Sequence, residues 1–229
     1  MTVDLLVMTL NEVEGIKKVM PRVKKEWVDR IIIVDGGSTD GTIEEARKMG
    51  FEVLVQKEKG HGNGFLMGAN ASHADYVIMW GPDGNFEPEE IPKYAELAKE
   101  GYYDQVIVSR FAKTSVNEDA GFLDAFGNRM FTFLTNVFFG GQLTDSLNGS
   151  RMISRKALDE INFHDEGKNF AGVMQMTATS LKLRHKICNL DGNERKRVGG
   201  VRKMRPLQVG ATLSWEIIKN FIFWKVRKF

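Results

Sequence analysis

Short apolar runs recur through the first half of the chain, separated by segments with a helical period, and this alternation restricts the fold more than any other feature. VDLLVMTL near the start, RIIIVDGG at 30–37, FEVLVQ at 51–56, ADYVIMWG at 74–81 and DQVIVSR at 104–110 read as strands. GIKKVMPRVKKEWV, DGTIEEARKMG and EEIPKYAELAKEG read as the helices between them. The pattern predicts an α/β fold, with a mostly parallel central sheet flanked by helices on both faces. Strands that are apolar along their whole length agree, because parallel strands are buried on both sides. Ligands of such sheets bind beyond the carboxyl ends of the strands. The loops TLNEVEG, DGGSTDGT, GPDGN and SRFAK are therefore where chemistry is expected.

With 229 residues the chain is long enough for one large domain. Its single cysteine, Cys188, excludes an internal disulfide and a thiolate metal knuckle. The N-terminal MTVDLLVMTLNE has no basic start and is interrupted by Asp4, which argues against a secretory signal. No stretch approaches the roughly 18 to 20 apolar residues of a spanning helix. A formal net charge of +2 conceals an asymmetry: from Arg195 to Phe229 ten Lys or Arg face one acid, Glu216. That end is expected to meet anionic lipid, phosphate or nucleic acid. It reads as a basic amphipathic helix over 206–229, associated with a membrane or a partner, following a domain over 1–205.

Three loops carry candidate chemistry. IIIVDGGSTDGT ends a strand on Asp35, turns on Gly36 and Gly37, and offers Ser38 or Thr39 as a helix cap. This is either a plain βα turn or a place where Asp35 accepts hydrogen bonds from a nucleotide. GHGNG at 60–64 supplies glycines for close backbone approach to a ligand, or simply a loop. WGPDGNFEPEE at 80–90 sets Asp83 and Asn85 two apart beyond an apolar strand. Two such oxygen donors suit Mg²⁺ or Mn²⁺ in a site completed by phosphate and water, or else merely build a turn.

In order, TLNEVEGI, IIIVDGGSTDGT, GHGNGFLMGANASHAD, MWGPDGNFEPEEIP, VIVSR, GNRMFTFL, LTDSLNGSRMISRKAL and RVGGVRK resemble the family 2 glycosyltransferases of GT-A fold, in particular the polyprenyl (dolichyl) phosphate sugar synthases. The resemblance implies inverting, metal-dependent transfer of a sugar from a nucleotide diphosphate sugar to a polyprenyl phosphate lipid. It places Leu10, Glu12, Asp35, Gly37, His61 and Asp83 at the nucleotide sugar, and Asp83 with Asn85 at a divalent cation. Arg110, Arg129, Arg197 and Lys203 fall at the acceptor phosphate, with Asp83, Arg110, Arg197 and Lys203 as the catalytic set. Gly81 occupies the first aspartate of the family's DxD-type motif, Gly36 the second of its usual VDD, and Met8 a common proline position. A family 2 enzyme with a glycan or soluble acceptor, and a non-catalytic nucleotide-sugar-binding protein, are the alternatives.

A phosphate acceptor is already an anionic nucleophile and needs no base, whereas an alcohol acceptor does. FAGVMQMTATSL shows no acidic pair on the family's pattern, with Asp165 and Glu166 lying just before it. GFLDAFGNRMFTFLTNVFFGG at 121–141 and LSWEIIKNFIFWKVRKF at the C-terminus read as core or interfacial helices. Peripheral attachment to the cytoplasmic face of a membrane, or to a small membrane protein, follows as an expectation. No nucleic-acid recognition module is present.

Overall fold

The computed structural model describes residues 1–119, 121–162, 171–199 and 206–222. Among these residues seven strands form one sheet: β1 (Val3–Thr9), β2 (Arg30–Asp35), β3 (Glu52–Val55), β4 (Tyr76–Trp80), β5 (Gln105–Ser109), β6 (Arg151–Ser154) and β7 (Ile187–Asp191). Their order is β3-β2-β1-β4-β6-β5-β7. All neighbours are parallel except β6, which runs antiparallel to both β4 and β5. The helices are α1 (Val13–Lys18), α2 (Thr42–Lys48), α3 (His61–Ala71), α4 (Ile91–Glu100), α5 (Phe122–Phe139), α6 (Arg155–Ile161), α7 (Ala171–Lys182) and α8 (Pro206–Ile222).

Alternate residues of each central strand feed two cores, as the pleat requires. Leu5, Val7, Ile78 and Trp80 pack on one face with Ile16, Met20, Ile91 and Tyr94. Leu6, Val34, Val77 and Met79 pack on the other with Phe65, Ala69, Leu158 and Met176. Each fully buried Leu or Ile contributes about 1.5 to 3 kcal/mol, so both layers are needed for a sheet this wide. A third cluster, Phe131, Phe139, Met174, Ala178, Leu213 and Ile217, joins α5, α7 and α8. The C-terminal helix therefore packs on α5 and α7 through Leu213 and Ile217, its buried stripe, while 223–229 of the expected helix lie outside the described residues.

The five strands read from the sequence are all present. The helix read over GIKKVMPRVKKEWV is shorter: it stops at Lys18, and single 3₁₀ turns follow at Met20–Arg22 and Lys25–Trp27. Pro21 removes a backbone donor and so ends the α ladder. β6 and β7 are additional. β6 is only four residues and opens on a charged Arg151, and ICNLD lacks an apolar run, so neither stands out as a strand. Among the described residues no helix is long and apolar enough to cross a membrane.

Candidate active site

The register of β1 against β2 sets Thr9 beside Asp35, so both strands end at one edge of the sheet. A cavity of about 1010 Å³ opens there. Leu10, Glu12, Gly37, His61, Asp83, Asn85, Arg110 and Arg197 all line it. Segments scattered from position 10 to 197 thus converge on one cleft.

Asp83 is brought there by the turn after β4. Gly84 has φ +81°, a left-handed conformation that costs a side-chain-bearing residue about 1 to 2 kcal/mol. A Cβ at Gly84 would also lie 2.4 Å from Val198 Cγ2, and one at Gly15 would lie 2.3 Å from Pro82 O. The loop is consequently pressed between α1 and the segment 192–199. That segment is laced to it: Val198 N donates to Asp83 O at 2.9 Å, Arg195 N to Asn85 O at 2.7 Å, and Asn85 Nδ2 back to Arg195 O at 2.7 Å.

The lacing delivers Arg197. Its guanidinium lies 2.9 Å from Asp83 Oδ2, 3.9 Å from Asp119 Oδ2 and 4.0 Å from Glu12 Oε1. Burial pushes the Asp83 carboxyl above its usual range, with Arg197 pulling it back. Asn85 spends its amide hydrogens on Arg195 O and, at 3.2 Å, on Asp119 Oδ2, so it fixes the loops that carry two carboxylates.

Arg110 is held in an ion-pair network. Asp145 receives Arg110 Nε at 2.7 Å and Glu194 lies 3.3 Å from Nη1. Glu194 is raised in pKa by burial against the pull of Arg110, and it accepts from Asn117 Nδ2 at 2.7 Å. Arg129 is exposed, with its guanidinium carbon 5.3 Å from the centre of the Phe111 ring that Arg110 also approaches at 5.5 Å. His61 opens α3 at the cavity wall, and burial, then the charge of Arg151, lower its pKa to about 4. Its ring is neutral at neutral pH.

Asp35 sits differently from the expectation of a direct base contact. It is fully buried, and four donors fill its oxygens: Gly37 N at 2.9 Å, Ser38 N at 2.7 Å, Thr9 Oγ1 at 2.7 Å and Ser38 Oγ at 2.6 Å. A carboxylate saturated by its own turn has no lone pair to offer a nucleotide, and Gly36, Gly37 and Thr39 form the wall in its place. Lys203, Asp165 and Glu166 lie outside the described residues.

Sequence reasoning passed over Asp119, Asp145 and Glu194. LTDSLNGS contained Asp145 in a matching segment, but Asp119 and Glu194 sit in irregular stretches that only the fold brings together. Among the described residues the wall carries five carboxylates (Glu12, Asp83, Asp119, Asp124, Glu194) against three cations (Lys59, Arg110, Arg197). An acidic cleft repels a diphosphate unless a further cation enters with it. Among the described residues no cluster of three His, Cys, Asp or Glu is arranged to hold a metal. One or two of the wall's carboxylates suit a hard divalent ion that completes its shell from phosphate and water.

A family model for glycosyl transferase family 2 matches residues 4–162. The low-salt glycan biosynthesis hexosyltransferase Agl6 of Haloferax volcanii is 30% identical over 192 residues, 81% of this chain and 46% of its own. The glycosyltransferase AglJ of the same organism is 33% identical over 167 residues, 72% and 54% of the two chains. The chain thus spans about half the length of these two relatives. The dolichyl-phosphate hexose transferase of that organism is 29% identical over 213 residues, 92% and 90% of the two chains. Among solved structures, glucosyl-3-phosphoglycerate synthase from Mycobacterium tuberculosis with phosphoglyceric acid superposes at a TM-score of 0.72, with 20% identity over 96% of this chain and 80% of that one. The same enzyme with Mn²⁺, UDP and glucosyl-3-phosphoglycerate gives 0.69 and 19%, over 97% and 79%. These likenesses show a shared GT-A-like fold.

Proposed function

Since the chain belongs to glycosyl transferase family 2, we propose that it transfers a hexose, with inversion, from a nucleotide diphosphate sugar to a polyprenyl (dolichyl) phosphate lipid at the surface of a membrane. One observation carries the choice of acceptor. Leu123, Phe126 and Met130 of α5 line the cavity yet are 66%, 58% and 40% exposed, so the acidic cleft runs out onto an apolar face. Phe133 and Val137 extend that face along α5, and Trp215, Ile218 and Phe221 of α8 continue it, with Phe138 and Phe221 in ring contact at 5.0 Å. A helix pair of this kind seats in the headgroup region and brings a lipid's phosphate to the cleft mouth.

The residues divide the work by charge. Leu10, Glu12, Gly37 and His61 form the wall for the nucleotide sugar. Asp83, with Asp119 and the side-chain oxygen of Asn85, would hold Mg²⁺ or Mn²⁺. Such an ion supplies electrostatic stabilisation to the departing diphosphate. Arg110 and Arg197 orient and screen the two phosphates, which otherwise repel each other. Arg129 lies outside the wall and serves the acceptor at its rim. A lipid phosphate oxygen attacks without a base, and no side chain has to take its proton.

The dolichyl-phosphate hexose transferase of similar length supports this reading. A soluble phosphorylated acceptor is the second reading, supported by the fold shared with an enzyme solved with phosphoglyceric acid. Incubation with labelled nucleotide sugars, with Mn²⁺ or EDTA, and with short-chain dolichyl phosphate or 3-phosphoglycerate as acceptor separates the two. Label that enters the organic phase only with Mn²⁺ is the expected result. Label confined to the aqueous product would replace the lipid by the soluble acceptor, and no transfer from any donor would leave a non-catalytic binding protein.

A further inference from the structure

Among the described residues the largest fully buried side chain is a charged one, Arg151, at the start of β6. Every bond of its guanidinium ends on a neutral oxygen. Nε donates to Asn148 O at 2.9 Å, Nη1 to Thr177 Oγ1 at 3.0 Å and Val173 O at 3.3 Å, and Nη2 to Ser146 O at 3.4 Å and closely to Asn148 O. Among the described residues no carboxylate lies within ion-pairing distance of it. The nearest in effect, Asp145, is taken up by Arg110 and by Asn128 Nδ2 at 2.9 Å.

A buried cation without a partner is costly, and proteins rarely keep one. Satisfying three carbonyls and a hydroxyl does not require a charge. The position of the group suggests what does. Asn148, whose carbonyl Arg151 grips, forms the cavity floor together with Gly149 and Ser150, and a Cβ on Gly149 would meet nothing within 4 Å. The guanidinium thus lies directly behind an open, small-residue floor. Its field reaches the cavity wall, where it adds to the lowering of the His61 pKa.

We propose that Arg151 is a positioning residue for an anion bound over the Asn148–Gly149–Ser150 floor, a phosphate group of donor or acceptor supplying the counter-charge that the protein withholds. Arg151 does not touch the ligand. It fixes the floor and sets its potential, and because it is buried, salt screens it little. The assignment rests on the reading of the cleft as a diphosphate site.

Neutralising the charge in place, without removing the arginine, tests it. Thr177→Asp sets a carboxylate on the atom that now accepts from Arg151, and Thr177→Asn is the neutral control of the same size. Binding of inorganic pyrophosphate with Mg²⁺ to the full chain is measured by titration calorimetry. Thr177→Asp is expected to bind on the order of tenfold more weakly than Thr177→Asn, the effect of one unit charge at roughly 10 Å and an effective dielectric near 20. Equal affinities overturn the proposal, and so does a wild-type chain that binds no pyrophosphate. Should Thr177→Asp not fold, Arg151→Lys and Arg151→Met decide: Lys within about threefold of wild type and Met tenfold weaker is expected, while equal losses make Arg151 a mere scaffold. Pyrophosphate binding with this charge dependence in a chain that transfers no sugar would leave Arg151 its role and remove the transferase reading. Sugar transfer with no such dependence would do the reverse.

Discussion

Asp145 is the residue whose loss the structure penalises most clearly. Its fully buried carboxylate accepts from Arg110 Nε at 2.7 Å, Arg110 Nη2 at 3.2 Å, Arg110 N at 3.3 Å, Asn128 Nδ2 at 2.9 Å and Leu147 N at 3.3 Å. Asp145→Ala leaves Arg110, only 18% exposed, with Glu194 at 3.3 Å as its remaining partner. It also removes the negative charge that most favours the buried Arg151 cation. Breaking a buried pair from one side costs about 3 to 5 kcal/mol. For a domain of this size that is on the order of 10 °C in Tm. Asp145→Asn keeps one acceptor oxygen and the volume, and should lose about half as much. Urea unfolding followed by tryptophan fluorescence, checked by a thermal melt, measures both. In the background Arg110→Met the Asp145→Ala penalty should shrink by more than about 1 kcal/mol, because the orphaned charge is gone. A Tm drop below about 3 °C, or penalties that simply add, would show that the network is solvent-relaxed and that the reasoning is wrong.

Other consequences follow from the same geometry. Arg197→Gln removes the cation that faces Asp83, so Mn²⁺ binding without nucleotide, read by electron paramagnetic resonance, should tighten by about tenfold while transfer falls; unchanged Mn²⁺ affinity would contradict the exchange. His61 takes its proton at about 4 when folded against 6.5 when free, so stability present above pH 6.5 drains away as pH falls toward 4. By roughly pH 5 this loss amounts to about 2 kcal/mol, and His61→Gln should abolish it in urea titrations at the two pH values. Gly84→Ala meets both a positive φ and Val198, and should cost about 2 kcal/mol and weaken pyrophosphate binding; a neutral outcome would mean that segment 192–199 is not seated on the loop. Phe126→Glu with Phe133→Glu should release the chain from anionic liposomes in a flotation assay, whereas continued flotation would move attachment elsewhere.

The parallel half of the fold was legible because strands buried on both faces write themselves as unbroken apolar runs. Its antiparallel insertion was not, since β6 carries Arg151 where an apolar residue would mark a strand and depends on long-range pairing with β4 and β5. The site shows the same division. Glu12, His61 and Asp83 follow the strand or glycine signals that flag them, and all reach the cavity. Asp35 satisfied the same signals and turned inward, because a carboxylate followed by Gly, Gly and Ser finds three donors within its own turn and a fourth, Thr9 Oγ1, on the adjacent strand β1. Composition cannot distinguish a lone pair saved for a ligand from one spent on the backbone.

The glycine at position 81 shows how charge can be relocated within a site. A Cβ there would meet only Met8 O at 3.9 Å, so space for the family's first aspartate remains while the charge itself is missing. The structure supplies a second carboxylate from another place: Asp119, 34 residues beyond Asn85, is tied to that amide at 3.2 Å and lies 3.9 Å from the guanidinium that Asp83 also holds. Asn85 is then more than a neighbour in the motif, because it couples the position of one acidic side chain to that of another. On this logic Asp119→Asn should weaken Mn²⁺ binding by about tenfold, and Gly81→Asp, which returns a carboxylate beside Asp83, should restore it in the double variant. Mn²⁺ affinity unchanged by Asp119→Asn would show that Asp119 does not share the site.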